Sequence, residues 1–381
     1  MSDGRYMNIL MIDDRVPFPY LGAGYPRALK ILETLDSLGH TVTFVPCVFS
    51  DTTVDASRGL PASCYYKALA GPAQISSFVA GNAGRYDALW VSRPHNMAML
   101  QSHIPAGHQV WRDYPLVVYD AEAIFSLRSE LMAHYLPDYA PRQSLEGELR
   151  LAAVADVVSV VNRKEGAYFE KQGKPTVVLS ARYSALFDPP VFEETRGFLF
   201  VGSLRDFPGP NTDALIWFCR RVAPLLRAEL GTEFYVDVVG MTDNHDFSPI
   251  LEPDVRLLGM IPDLEPTYLS HRVFIAPHRF AAGIAAKILE AASHGVPVVA
   301  STLLAEQLEW RNDQELFSAA TNDAQAFAKA CLACYRDETA WRRLQGGARE
   351  RLVRNFSPDS FTRAIETVLA ARRPHVVSGG A

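Results

Sequence analysis

Short apolar runs alternate along the chain with longer stretches whose apolar residues recur at helical spacing. The first run, Met7–Asp13, predicts a buried strand. Leucines at every third position of Tyr25–Leu38 predict an amphipathic helix that ends at Gly39. The apolar run Thr41–Val45 then completes a strand–helix–strand unit. Further strands are predicted at Asp87–Ser92, Leu116–Tyr119, Val157–Val161 and Thr176–Ser180, and further helices at Phe125–His134 and Leu145–Ala155.

The same alternation restarts after Asp188–Thr195, a segment with two prolines that is typical of a linker. A helix is predicted at Leu215–Leu230, with Asn211 as its N-cap and Asp213 in its first turn, where a carboxylate is favourable. Strands are predicted at Gly197–Val201, Phe234–Val239, Val255–Leu258, Val273–Ala276 and Val296–Ala300, and late helices at Ala324–Arg336, Glu338–Phe356 and Ser360–Ala371.

These patterns predict an α/β protein with two domains. We expect an N-terminal domain at residues 1–187 and a second domain at residues 188–360. Residues 361–381 are predicted to form a C-terminal helix, returning to the N-terminal domain, and a loose tail.

Composition narrows the class of protein. Of 381 residues, 48% are hydrophobic and 21% charged, which is ordinary for a globular protein, and the net charge of −6 gives no reason to expect nucleic-acid binding. The N-terminus lacks signal-peptide features, and no apolar run is long enough for a membrane span, so we expect a cytoplasmic protein. Among five scattered cysteines, Cys331 and Cys334 form a CxxC pattern within a predicted amphipathic helix, which favours core packing over a zinc or redox site.

One stretch of the second half, Arg279–Ser301, carries the strongest candidate chemistry. Lys287 and Glu290 are three residues apart, so on a helix they share a face. Two cations, Arg279 and Lys287, beside a glycine-containing helix start suit a diphosphate, because the helix N-terminus adds free N–H groups. A carboxylate one turn later can accept hydrogen bonds from sugar or ribose hydroxyls. The alternative is an ordinary solvated Lys/Glu pair.

The first half carries weaker candidates. Gly22 and Gly24 lie in a loop between the first strand and the first helix, where α/β folds bind ligands, although they do not form a dinucleotide fingerprint. His95, Asp120 and Glu122 follow or end predicted strands, which makes them candidates for chemistry, and each of them could equally be a capping or loop residue.

With these residues in view, the chain resembles the GT-B fold glycosyltransferases, and within them the retaining enzymes of glycosyltransferase family four. The likeness is strongest in FVGSLRDFPGPNTDALIWF, residues 200–218, and in IAPHRFAAGIAAKILEAASHGVPVVAS, residues 275–301. MNILMID, LGAGYPRA and VVYDAE of the first half are weaker matches in the expected places.

The resemblance implies two Rossmann-like domains whose parallel sheets face each other across a cleft, with a nucleotide sugar held mainly by the second domain. Arg279 and Lys287 would hold the diphosphate and Glu290 the ribose. Asp120 and Glu122 are the catalytic candidates of the first domain. The other residues expected to bind substrate are Gly22, Gly24, Gly202, Ser203, Arg205, His278, Gly283 and Ile284.

The chain departs from the family pattern at two places. The first glutamate of the family's Glu-x7-Glu motif would fall at position 282, where this chain has Ala282, a small-residue form that some relatives share. Many relatives carry a histidine near the reacting sugar, where this chain has Asp120 and Glu122. These departures leave the identity of the sugar and of the first-domain catalytic residue open.

The resemblance therefore predicts transfer of a sugar from a nucleotide-diphosphate sugar to an acceptor hydroxyl, with retained configuration and without a metal ion or a further cofactor. The acceptor would be a glycan, a lipid-linked sugar or another hydroxyl compound, in surface polysaccharide or glycoconjugate assembly, with peripheral association at the inner membrane face. Two alternatives are a non-catalytic GT-B subunit that supports a partner transferase and a nucleotide-sugar epimerase.

Overall fold

The computed structural model describes residues 6–18, 24–48, 59–141, 143–243, 246–247 and 252–371. Within these residues the chain divides into two compact units. The first unit contains the described residues up to Ser126, the segment Pro141–Ser180 and the residues from Phe361 onward, and the second contains Leu127–Ala140 and Ala181–Ser360. The second unit is therefore inserted into the chain of the first.

The first unit is built on a parallel sheet of seven strands in the order β3-β2-β1-β4-β5-β6-β7. Its central strands are apolar and buried on both faces, as the apolar runs predict. The strands are β1 (Asn8–Asp13), β2 (Thr41–Pro46), β3 (Cys64–Tyr66), β4 (Ala88–Ser92), β5 (Val117–Glu122), β6 (Val157–Val160) and β7 (Thr176–Val178).

Within the described residues, helices follow β1, β3, β4, β5 and β6 of this sheet. They are α1 (Tyr25–Ser37), α2 (Gly71–Gly81), α3 (Pro94–His103), α4 (Val110–Asp113), α5 (Phe125–Tyr135), α6 (Leu145–Arg150) and α7 (Arg163–Glu170). Most of α5 belongs to the second unit, because the division falls after Ser126.

The second unit repeats the plan with a parallel sheet of six strands in the order β10-β9-β8-β11-β12-β13. The strands are β8 (Arg196–Val201), β9 (Val236–Val239), β10 (Val255–Gly259), β11 (His271–Ala276), β12 (Val298–Ser301) and β13 (Phe317–Ala319). The helices are α8 (Pro210–Arg221), α9 (Ala223–Leu230), α10 (Glu265–Ser270), α11 (Ala286–Ser293), α12 (Thr302–Leu308), α13 (Ala324–Arg336) and α14 (Glu338–Asn355). The two α/β units with parallel sheets confirm the predicted fold class.

The last helix, α15 (Pro358–Ala370), completes the core of the first unit. Its apolar side chains Phe361, Ile365 and Val368 recur at helical spacing and pack in one cluster with residues of β1 and α1. The chain thus returns to its first unit after completing the second.

The CxxC pattern is part of the second unit's core. Cys331 and Cys334 on α13 are fully buried in a cluster with Trp341 and Leu344 of α14. Burial raises the pKa of both thiols well above its usual range. The predicted core role of these cysteines is confirmed.

The helix predicted at Leu215–Leu230 is wrong in its bounds. The structure has α8 starting at Pro210 and α9 starting at Ala223, with Pro224 in the first turn of α9. Proline lacks an N–H group and disfavours helical backbone before it, so it starts a new helix. Gly209 is the N-cap of α8, so Asn211 is not a cap but lies inside the first turn.

Among the described helices, none combines the length and the apolar composition that a membrane span requires.

We predict that Ile365→Ala lowers the thermal unfolding midpoint and destabilises the protein by about 2–5 kcal/mol, because it leaves a cavity beneath the central sheet. Glu366→Ala, at an exposed position of the same helix, is the control and should change little. Equal unfolding midpoints for the two variants would contradict this role of α15.

Candidate functional site

In each sheet the strand order reverses between two neighbouring strands, β1 and β4 in the first unit and β8 and β11 in the second. At such a point the connections leave toward opposite faces of the sheet and open a crevice beyond the carboxyl ends of the strands. We call these two places the first and the second reversal edge. Most of the candidate residues named from the sequence follow the strands that meet there.

At the second reversal edge two glycines allow the backbone segments after β8 and β9 to approach closely. A Cβ atom on Gly240 would lie 2.0 Å from the carbonyl oxygen of Gly202, and the φ of Gly240 is +156°. A Cβ atom on Gly202 would meet the side chain of Asn211 at 2.8 Å. Gly202 therefore leaves room for Asn211 beside the strand end, and Ser203 and Arg205 follow as exposed residues.

Lys287, Asn211 and His278 form one hydrogen-bonded group at this edge. The Lys287 ammonium donates to Asn211 Oδ1 and lies 3.1 Å from His278 Nε2, which is 3.0 Å from the same Asn211 oxygen. Asn211 Nδ2 donates to the carbonyl of Ser203 at 2.9 Å. The Phe200 ring stacks against His278 and lies 5.3 Å from Lys287 Nζ. Three segments of the unit, β8–α8, β11 and α11, thereby converge on one ammonium group.

Desolvation governs the protonation of Lys287 and of His278. It lowers the pKa of Lys287 to about 7, against a small opposing attraction from Glu290. Burial, with the nearby Lys287 charge, lowers the pKa of His278 well below its usual range. His278 is therefore neutral, and Lys287 is close to half protonated at neutral pH. An anion beside Lys287 would raise its pKa and so increase the fraction of Lys287 that is protonated.

Arg279 is held by Asp213, which lies on α8 together with Asn211, the partner of Lys287. Its guanidinium forms a two-point ion pair with Asp213, with Nε at 2.8 Å from Oδ2, and it lies 4.8 Å from the centre of the Tyr135 ring. The hydrogen bonds with Asp213 raise the pKa of Arg279. The first turn of α8 thus places both candidate cations, because Asn211 holds Lys287 and Asp213 holds Arg279.

The remaining candidates of the second unit lie on and before α11. Gly283 has a φ of +75°, which favours glycine, and precedes Ile284 in the turn that leads into the helix. Lys287 and Glu290 lie on α11 as the sequence predicts. Burial raises the pKa of Glu290, although the nearby His294 opposes the shift.

At the first reversal edge, Asp120 is locked in a buried ion pair. Arg27 donates to both of its oxygens, at 2.8 and 2.9 Å, and Ser159 Oγ donates at 2.6 Å. Arg27 also donates to the carbonyls of Leu179 and Ser180. Burial opposes ionisation of Asp120, but the Arg27 charge outweighs it and lowers the pKa. Asp120 thus joins β5 to α1 and to the chain after β7, which is a structural role.

Glu122 is buried but less completely paired. Arg93 Nη1 lies 2.9 Å from its Oε2, and Oε1 makes no hydrogen bond within the described residues. Both residues have positive φ angles, +54° for Glu122 and +73° for Arg93, so this edge holds strained backbone. Burial raises the pKa of Glu122 to about 7. A Cβ atom on Gly24 would lie 2.4 Å from Glu122 Oε1, so a larger residue there would displace the Glu122 carboxylate, while Gly22 lies outside the described residues.

The sequence did not single out Arg27, Asp14 or Arg93, and named Asn211 and Asp213 only as helix-start residues. Their partners are distant in the chain, so no local pattern pointed to the pairing. Within the described residues, no group of three or more His, Cys, Asp or Glu side chains is placed to hold a metal ion.

We predict that Asp120→Asn destabilises the protein by about 3–5 kcal/mol, because the buried Arg27 charge loses its partner. The control is Glu146→Gln, which breaks an exposed pair with Arg150 and should cost no more than about 1 kcal/mol. A stable but inactive Asp120→Asn protein would instead indicate a direct role in the reaction.

Part of the chain matches the model of a known protein family. Residues 195–337, more than a third of the chain, match the family model of glycosyl transferases group 1. This region contains β8, α8, β11 and α11, and so all the second-unit candidates. No curated protein matches the sequence.

Solved structures match nearly the whole chain. Sucrose-phosphate synthase from Thermosynechococcus elongatus is 16% identical with a TM-score of 0.72, over 96% of this chain and 98% of its own. HepE from Anabaena, solved in complex with UDP-glucose, is 15% identical with a TM-score of 0.72, over 96% of this chain and 100% of its own. A trehalose-6-phosphate protein from E. coli, bound with UDP-2-fluoro glucose, is 11% identical with a TM-score of 0.62, over 97% of this chain and 100% of its own.

At these identities the structural likeness establishes the fold, which is GT-B. The match of residues 195–337 to glycosyl transferases group 1, together with this fold, supports a glycosyltransferase.

Proposed function

We propose that this glycosyltransferase takes a sugar from a nucleotide-diphosphate sugar and transfers it, with retained anomeric configuration, to an acceptor hydroxyl. The observation that supports it most is the convergence of Lys287, His278 and Asn211 at the second reversal edge, with Arg279 held by Asp213 in the same first turn of α8 as Asn211. HepE and the trehalose-6-phosphate protein, which share the fold, are solved with UDP-glucose and a UDP-glucose analogue.

The main electrostatic task of such a transfer is to stabilise the leaving nucleoside diphosphate as negative charge develops on it. Lys287 would supply a charge that increases on binding, because a neighbouring diphosphate favours its protonated form. Arg279 would supply a permanent charge, oriented by Asp213. Neutral His278 adds no competing charge and holds the ammonium in place beside Asn211.

Glu290 and the turn at Gly283–Ile284 would face the rest of the donor. Glu290 is on the same helix as Lys287, one turn further, where its oxygens could accept hydrogen bonds from the ribose hydroxyls. Gly202, Ser203 and Arg205 would line the phosphate side from the loop after β8. With Ala282 in place of a glutamate, the sugar itself would be held by fewer carboxylate contacts.

We place the transfer in surface polysaccharide or glycoconjugate assembly, in the cytoplasm with peripheral association at the membrane face. This placement rests on the resemblance of the sequence to retaining GT-B enzymes. The acceptor would be a glycan, a lipid-linked sugar or another hydroxyl compound.

We predict that the parent protein binds one of UDP, GDP, ADP, dTDP or CDP selectively, and that Lys287→Ala weakens this binding about 10- to 100-fold, as loss of a charge-assisted hydrogen bond implies. Isothermal calorimetry measures both affinities. Lys329→Ala, an exposed lysine on α13, is the matched control and should leave the affinity unchanged. Absence of binding to all five diphosphates would favour the non-catalytic subunit instead.

We also predict that diphosphate binding takes up a proton above pH 7. Because the pKa of Lys287 is about 7 in the empty site, the ammonium is mostly formed below pH 7 and must be formed on binding at pH 8. The affinity therefore falls as the pH rises above 7, until the higher pKa of the occupied site is reached.

Calorimetry at pH 8 in two buffers of different ionisation enthalpy measures the proton uptake. Lys287→Arg is the control, because arginine stays charged at this pH, so its uptake should be smaller by most of one proton. Equal uptake by the parent and Lys287→Arg would show that Lys287 is not the group that titrates.

A further inference from the structure

We propose that a cavity between α14 and the segment that joins α12 to β13 binds a phosphate monoester group. The cavity has a volume of about 280 Å³ and lies within the second unit. We call it the arginine cavity, because the four cationic side chains that line it are all arginines. Its charged lining residues are Arg311, Arg343, Arg351, Arg354, Glu315 and Glu350.

The arginine cavity lies at the other edge of the sheet from the second reversal edge. The strands β12 and β13 are parallel, and α12 begins directly after β12, so the chain must return to the amino ends of the strands before β13 starts. Residues 309–316 make this return and supply one wall of the cavity. The second reversal edge lies beyond the carboxyl ends of the strands. The arginine cavity is therefore separate from the proposed diphosphate site.

Helical spacing places the other wall of the cavity on one face of α14. Arg343, Gly347, Arg351 and Arg354 follow one another at intervals of four, four and three residues. A Cβ atom on Gly347 would lie 2.1 Å from the carbonyl oxygen of Gln314. Glycine at this position thus lets the segment before β13 contact the helix backbone, with one arginine a turn before the contact and another a turn after it.

Two of the four arginines are paired with carboxylates. Arg311 Nη2 lies 2.7 Å from Glu315 Oε1, and Arg343 forms an ion pair with Asp313. Burial opposes ionisation of Glu315, but its hydrogen bonds with Arg311 outweigh it and lower the pKa. The contacts of both arginines use Nε and Nη2. Because a guanidinium has five N–H groups, each of the two keeps donors for a further ligand.

The other two arginines have no carboxylate partner within the described residues. Arg351 donates from Nη2 to the carbonyl of Glu309 at 2.8 Å, while its buried Nε makes no hydrogen bond there. Arg354 makes no hydrogen bond or ion pair with any described residue. A buried donor without an acceptor is costly, so an anion that draws the Arg351 guanidinium toward the cavity would stabilise it. Glu350 is a single unpaired carboxylate against these two cations.

The guanidinium groups indicate the class of anion. A phosphate monoester carries three acceptor oxygens and nearly two negative charges at neutral pH, whereas a carboxylate has two oxygens in one plane and a single charge. Guanidinium forks bind phosphate oxygens in pairs, so several arginines around one cavity favour the phosphate. Free phosphorylated compounds and the headgroup of phosphatidic acid both carry this group, and separate probes distinguish them.

Calorimetry on the whole protein measures binding of glycerol 1-phosphate, with glycerol and acetate as the neutral and the carboxylate controls. A free phosphorylated ligand predicts binding of glycerol 1-phosphate and of neither control. A lipid headgroup predicts cosedimentation with phosphatidylcholine vesicles that contain phosphatidic acid, and not with vesicles of phosphatidylcholine alone. Lys287→Ala should leave this binding unchanged, because Lys287 lies at the other edge of the sheet.

Variants of the lining test the site from both directions of charge. Arg351→Gln should weaken binding at least about 10-fold, as loss of a charge-assisted hydrogen bond implies. Because Arg351 also contacts Glu309, Arg354→Gln provides a second measure without loss of a contact and should weaken binding about 3-fold. Glu350→Gln removes a lining carboxylate and should tighten binding about 2- to 5-fold. Arg342→Gln, an arginine of α14 outside the cavity, is the matched control and should leave the affinity unchanged.

The inference would be overturned if neither glycerol 1-phosphate nor phosphatidic acid bound, or if acetate bound as tightly as glycerol 1-phosphate. Binding that Arg354→Gln and Glu350→Gln both leave unchanged would equally place the ligand elsewhere. Failure of the proposed function would be seen separately, as absence of binding of the nucleoside diphosphates, since the arginine cavity does not depend on Lys287 or Arg279.

Discussion

The reversal of strand order in a parallel sheet is the constraint that positions both groups of candidate residues in this protein. Crossover connections between parallel strands are right-handed, so a sheet that grows outward in both directions from its first strand sends its helices to opposite faces. Between β1 and β4, and between β8 and β11, the strand ends are consequently left uncovered. Polar side chains at these two places can meet a ligand without weakening the cores that lie beneath the sheets.

The two edges differ in the sign of the charged groups that predominate there. At the second edge, an ammonium and a guanidinium stand beside amide, imidazole and aromatic groups, and a single carboxylate, Asp213, pairs with Arg279. At the first edge, carboxylates outnumber guanidinium groups and are mostly buried. The cations of the second edge suit an anion, whereas the surplus of carboxylates at the first edge disfavours one.

The sequence predicted most of the fold, because a strand buried on both faces is a continuous apolar run. Met7–Asp13 and Val273–Ala276 are strands within one or two residues of the predicted bounds. The edge strands β3 and β13 were missed, since each has only three residues and is partly exposed. The spacing of three residues between Lys287 and Glu290 predicted that both lie on one helix, which is α11.

The partners of the candidate residues could not be predicted in the same way. Arg27 and Asp120 are 93 positions apart, and Asn211 and Lys287 are 76 apart, so only the folded chain brings them together. The order of the strands in each sheet decides where the two edges lie. This order cannot be derived from the positions of the apolar runs in the sequence.

The insertion of the second unit into the first has a consequence for biosynthesis. Phe361, Ile365 and Val368 belong to the core beneath β1, yet they are among the last described residues to leave the ribosome. Part of the apolar surface of the N-terminal sheet therefore stays uncovered until the second unit has been synthesised. The second unit is free to fold during this time. During translation the second unit is complete first, and the first unit is the one that needs protection from aggregation.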